Sequence, residues 1–162
     1  MQIIEKKPHQ QFRTLKLIYA SMAVAIALFA LAVLTINYVQ LMQPTLSEEQ
    51  DFRIFIYISA ALVILSMPMS MILFGQSIKG IKWNECSLTE KLALYQTALI
   101  IRGAILEFPA LFVCVTVLLT GNLLALLLIP MVLFIFFITK PSLYRLGSDL
   151  ELTRDEIEQL KG

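Results

Sequence analysis

Residues 17–39 read LIYASMAVAIALFALAVLTINYV, a stretch without one charged side chain. An α-helix rises 1.5 Å per residue, so about 20 predominantly apolar residues cross ~30 Å of hydrocarbon. The uncharged run continues to Ser47, but Asn37, Tyr38, Gln40, Gln43 and Pro44 close its apolar part with residues suited to an interface. A basic segment precedes it, yet a secretory apolar region spans only ~7–15 residues, so this one reads as a retained anchor. Working outward, Arg53 and Lys79 bracket a second uncharged run, Ile54 to Ile78. A third apolar segment begins near Leu88, and a fourth follows Thr120-Gly121-Asn122 and ends at Thr139-Lys140-Pro141. Backbone polar groups in lipid must bond within their own segment, so all four are expected to be helices. No stretch alternates in polarity as a spanning strand would.

The composition agrees. The chain is 58% hydrophobic and 15% charged, against ~45–50% and ~25% for a soluble domain. Its 13 basic and 12 acidic residues nearly cancel, which argues against a nucleic-acid binder. The expected fold class is therefore all-α, a polytopic membrane protein with four transmembrane helices. The spans fall at about 17–39, 54–77, 97–119 and 123–139 within a transmembrane domain over 1–141. A cytoplasmic acidic tail occupies 142–162.

Lys6, Lys7, Arg13 and Lys16 precede span one, Lys79, Lys82 and Lys91 follow span two, and Lys140, Arg145, Arg154 and Lys161 follow span four. The loop between spans one and two holds Arg53 against Glu48, Glu49 and Asp51, and the last hairpin carries no charge. The positive-inside rule then places both termini in the cytoplasm, as four spans require.

Local signals refine this outline. Ser87-Leu88-Thr89-Glu90 and Thr153-Arg154-Asp155-Glu156 have capping-box form. The first opens a helix that runs to about Leu119, longer than the hydrocarbon is thick; Trp83 before it suits an interfacial anchor. The second announces a short helix to about Lys161, with Ile157 and Leu160 as a thin apolar edge. That helix either packs on its own chain, is solvated, or docks a cytosolic partner. Tyr19-x-Ser21 and Tyr95-x-Thr97 form a faint repeat, as do Pro68-Met69 and Pro130-Met131. Ala20, Ala23, Ala27 and Ala30 read as a packing face. Cys86 and Cys114 fall in a loop and a span and should not pair, and His9 is the single histidine, so no metal or thiol-redox site is expected. No cofactor is implied.

Arg102 and Glu107 stand inside span three, where ionisable groups are functional candidates by default. Arg102 lies close to the cytoplasmic boundary, and its long side chain leans toward the helix start, so it can snorkel to lipid phosphates. Glu107 is short and near mid-membrane. Five residues separate the two, about 140° around a regular helix, which disfavours an ion pair. Gly103, Glu107, Ala110 and Cys114 share one side, where small residues admit a second helix. Ser59, Ser66, Ser70 and Ser77 line one side of span two. The expected arrangement packs these stripes together, with Ser66 or Ser70 hydrogen-bonding the Glu107 carboxyl. Glu107 is then a clamp between helices, or else a proton- or cation-binding group.

The string from Ala98 through Arg102, Gly103, Glu107 and Pro109 to Phe112, with the Thr-Gly-Asn turn and Lys-Pro-Ser tail, resembles small four-helix bacterial inner-membrane proteins of uncharacterised function. The resemblance covers roughly the second half of the chain. It implies an inner-membrane location and supplies no activity. Two functions follow as expectations: a non-enzymatic accessory or scaffold subunit packing through helices two and three, or a small oligomeric transporter or channel component binding a proton or cationic solute at Glu107. The partners expected are the lipid bilayer and either a second copy of the chain or a membrane complex. Nucleophile–base sets and metal ligands for an enzyme are not apparent.

Overall fold

The computed structural model describes residues 8–40, 53–82 and 87–161, and among these all regular structure is helical. The elements are α1 (Pro8–Gln40), α2 (Arg53–Lys82), α3 (Leu88–Thr120), a 3-10 turn (Leu123–Leu127) running into α4 (Leu128–Ile138), α5 (Leu143–Leu150) and α6 (Arg154–Lys161). The expectations for Trp83, Cys86 and the loop over 41–52 lie outside the described residues.

α1, α2 and α3 are each long and apolar enough to cross a membrane. The segment Leu123–Ile138 passes the same test only when joined to α5, which bends from it by 71°. This differs from the single helix expected over 123–139, and Pro130 supplies the reason. Lacking an N–H, it cannot bond the Leu126 carbonyl, so α-type pairing cannot start a turn earlier. The chain uses three-residue bonds instead, with Ala125 N–H on the Asn122 carbonyl at 3.3 Å and Leu128 N–H on Ala125. A 3-10 segment rises about 2.0 Å per residue, so these 16 residues reach roughly 26 Å.

The turn before it is tightly wired. Gly121 takes φ 65° and sends its N–H to the Val117 carbonyl, closing α3. Only a residue without Cβ adopts that conformation freely. Asn122 then caps the 3-10 turn, its side chain accepting from Leu124 N–H at 3.0 Å.

α3 is the centre of the bundle and packs most extensively on α2, then on α1. α1 and α3 run in the same direction: Gly103 faces Met22, and Asn37 Nδ2 donates to the Val117 carbonyl at 3.3 Å. α2 runs the other way, with Ser59 against Thr116 at 2.7 Å and Phe74 against Tyr95. Since the Ser59 hydroxyl already donates to the Phe55 carbonyl, the Thr116 hydroxyl is the donor between the helices. Outside, Leu28, Leu31, Ile64, Leu65, Phe108 and Phe134 are all exposed. That is far more apolar surface than a protein in water displays.

The segment after α4 folds back on the bundle. Ser142 caps α5 through Arg145 N–H, and Leu146 and Leu150 turn inward with Leu160 of α6 to join the same core as Phe12 and Leu15. α6 packs on α1 and α5 on α2. Gly147 permits the α5–α6 approach, since a Cβ there would stand 3.2 Å from the Ile157 terminal carbon. The second capping box is reciprocal: Glu156 Oε2 accepts from Thr153 N–H at 2.7 Å, and Thr153 Oγ1 accepts from Glu156 N–H at 3.4 Å. Lys91 of α3 approaches Glu156 at 3.7 Å.

Two predictions follow from this packing. A Cβ on Gly103 would meet the Met22 Cε at 2.7 Å and Sδ at 2.8 Å. Met22 is flexible enough to yield to Gly103→Ala, whereas Gly103→Val should cost about 1–3 kcal/mol by separating α1 from α3, read as a lower unfolding midpoint in detergent. The Glu156 carboxyl is held below the usual carboxylate range by the Thr153 N–H, against partial burial, with the Thr153 hydroxyl and Lys91 adding to the effect. A lowered folded-state pKa contributes stability that is present above the unfolded value, about 4.3 for Glu, and is lost as pH falls through the folded one. Protection of the α6 amides, taken relative to the intrinsic exchange rate at each pH, should therefore fall below about pH 4, and Glu156→Gln should reduce that pH dependence.

Candidate functional site

Of the described polar residues buried in the bundle, Arg102 and Thr139 lie at the end where α5 and α6 sit, while Asn37, Ser59 and Thr116 lie toward the other end. Arg102 is 8% exposed. Its guanidinium carbon lies 4.8 Å from the centre of the Phe74 ring, the attraction of a cation for a π face. Tyr95, two turns earlier on α3, donates its hydroxyl to Asp149 Oδ2 at 3.0 Å. Phe74 and Tyr95 meet edge to face at 5.7 Å. Together with Leu99, Thr139 and Arg145, these residues line a mostly polar cavity of about 170 Å³.

The local sequence explains how they meet. Lys140-Pro141-Ser142 ends α4 and restarts the chain as α5, laid across the bundle by the 71° bend. Arg145 and Asp149 are four residues apart on α5 and so share a face. Leu146 and Leu150 hold that helix down. On the far side, the Tyr19 hydroxyl and Thr139 Oγ1 are 2.6 Å apart. Thr139 already donates to the Ile135 carbonyl, which leaves Tyr19 as the donor. Beyond that pair lies a larger groove of about 620 Å³ between α1 and α4, apolar along Ala20, Ala23, Val24 and Leu133 and basic at Lys16 and Lys140.

Arg102 thus differs from the snorkelling residue expected. It does lean toward the start of α3, but its destination is the bundle interior, because its side of the helix is covered by α2. Among the described residues no acceptor bonds its buried Nε. The cavity brings two guanidinium groups, Arg102 and Arg145, together with one carboxylate, Asp149.

Glu107 also departs from expectation. Ser66 Oγ donates to the Val63 carbonyl and Ser70 Oγ to that of Met67, both at 2.8 Å and both within α2. Neither serine reaches Glu107. The serine side of α2 is buried, but it meets α3 at Thr116 rather than at the stripe of Gly103, Ala110 and Cys114. Gly103 faces Met22 of α1, and a Cβ added there would stand 3.8 Å from Phe136 of α4. The geometry of α3 accounts for this: Thr116 and Arg102 lie on one side of its buried arc and Gly103 near the other, roughly 140° from Thr116 at 100° per residue. Glu107 sits just beyond Gly103 on the α1 edge. It is half-buried, and Ala104, Phe108 and Leu111 beside it are exposed. Ala110 and Cys114 are fully buried, and the Cys114 thiol is free. Among the described residues, Glu107 has no hydrogen bond or ion pair.

The cluster around Arg102 was only partly visible in the sequence. Tyr19 and Tyr95 carry the faint repeat on two parallel helices, and each hydroxyl finds a side-chain partner at this end of the bundle. Asp149 and Arg145 carried no such signal, because α5 is short and its partners are distant in sequence. Among the described residues, no three His, Cys, Asp or Glu side chains come together as a metal site. The chain matches no protein-family model, curated protein or solved structure with which it was compared.

Tyr95→Phe should remove a hydrogen bond to a carboxylate, costing about 1.5–3 kcal/mol. Amide exchange over Leu143–Leu150 should rise in that variant and stay unchanged in Tyr38→Phe, whose ring is exposed.

Proposed function

We propose that the chain is a four-span protein of a bacterial inner membrane, with both termini cytoplasmic, acting as a non-enzymatic accessory or scaffold subunit. The α5/α6 end is then the cytoplasmic end, which agrees with Lys16, Lys79, Lys91, Lys140, Arg145 and Arg154 near the helix ends there. The fourth crossing is the 3-10 turn with α4, and α5 lies along the interface.

The observation that carries the scaffold reading is Glu107. An ionised carboxylate at the centre of a lipid-facing helix costs about 2.5–3.5 kcal/mol, and a neutral carboxyl still wants a partner. Its own bundle offers none among the described residues. A second helix laid on the α1/α3 edge would supply one, from another copy of the chain or from a larger complex. Association therefore runs along that edge, since the α2–α3 contact is internal. The second reading, a proton- or cation-binding oligomer, rests on the same carboxyl.

A photo-crosslinker at Leu111, exposed and one turn beyond Glu107, tests this in native membranes. A discrete polypeptide adduct is expected, lost in Glu107→Leu and substantially kept in Glu107→Gln. Adducts to lipid alone would refute association at this edge. In proteoliposomes, proton or cation flux abolished by Glu107→Gln would replace the scaffold with the transport reading.

A further inference from the structure

The cavity under α5 has a chemistry that the scaffold reading leaves unused. Its walls come from α2, α3, the end of α4 and α5, so it is a product of the whole fold. A guanidinium offers five N–H donors in a plane, and burying one normally demands acceptors for them. Arg102 is covered on one face by Phe74, and its Nε has no acceptor among the described residues. The one carboxylate lining the cavity, Asp149, is engaged by the Tyr95 hydroxyl. Arg145 adds a second positive group, so the lining is positive on balance. About 170 Å³ is several times the space of one water, whose share of liquid volume is about 30 Å³.

We propose that this cavity binds a phosphoryl oxyanion between Arg102 and Arg145. Planar guanidinium groups match phosphate oxygens with paired hydrogen bonds, which a lysine cannot do. The Tyr95–Asp149 bond keeps the carboxylate turned to its hydroxyl donor, limiting its repulsion of the anion. Phe74 holds the Arg102 guanidinium in plane. The same chemistry is presented by free phosphate and by the headgroup of an acidic phospholipid, and α5, lying across the bundle end, would stand over either one.

The test uses the full chain in a zwitterionic detergent, titrated calorimetrically with inorganic phosphate and separately with dihexanoyl phosphatidic acid. Saturable binding of at least one probe is expected. Phosphate binding points to a free anion, and binding of phosphatidic acid alone points to a lipid headgroup. Arg102→Gln and Arg145→Gln should each weaken binding by about tenfold or more, the loss of a charge-assisted hydrogen bond. Arg145 is exposed at the surface, so its variant keeps the test valid should Arg102→Gln fail to fold. Asp149→Asn can still accept from Tyr95 but removes the negative charge, and it should tighten binding several-fold. No saturable binding of either probe would overturn the proposal. So would affinity unchanged in a folded Arg145→Gln, the result expected of an arginine that serves only to pair with the carboxylate.

Discussion

Burial of α3 on two sides is the constraint from which the rest of the bundle follows. Thirteen of its residues are buried, nearly twice as many as in the equally long α1. That wide arc must be divided between neighbours. Val113, Val117 and Ala110 fill its middle and Gly103 and Cys114 one edge, small or β-branched residues that let α1 and α4 approach closely. Thr116 and Arg102 mark the opposite edge, which α2 takes. Each remaining element then has one place to go, and α5 and α6 attach through Tyr95 and Lys91, near the start of the same helix. Lipid offers no hydrophobic drive between helices, so fit of this kind decides which helices pair.

The same division separates the two ionisable residues of α3. Arg102 falls where α2 and α5 can enclose it, and a long flat cation with an aromatic lid tolerates enclosure. Glu107, a turn and a half further on, falls at the margin of the arc, beyond the reach of any polar group on α2. Their different surroundings come from 140° of helix rotation, not from depth alone.

The helices themselves were legible in the sequence because their signals are local. Charge-free runs located α1 and α2, two capping boxes located the starts of α3 and α6, and Thr120-Gly121-Asn122 located the turn. Pro130 was visible too, but whether it kinks a helix or shifts its start depends on the pairing of the residues before it. Neighbour choice was not legible. Gly103 suits any close approach, and nothing in its own sequence context names Met22 over a serine on α2. Ser66 and Ser70 looked like free donors but satisfied themselves on their own backbone, as hydroxyls in helices often do. The polar cavity was hidden for a related reason: its parts come from positions 74, 95, 102, 139, 145 and 149, brought together only by a bend after Pro141.

The docking of α6 also ties the order of synthesis to the completion of the fold. Phe12 and Leu15 share a core with Leu160, a partner 145 residues after Leu15. At ~5–20 residues per second, a ribosome needs roughly 7–30 s to make that interval. During this time the first turns of α1 keep an apolar face uncovered at the mouth of the bundle. These contacts become available only once α6 is made, and a chain lacking α6 would leave that face open.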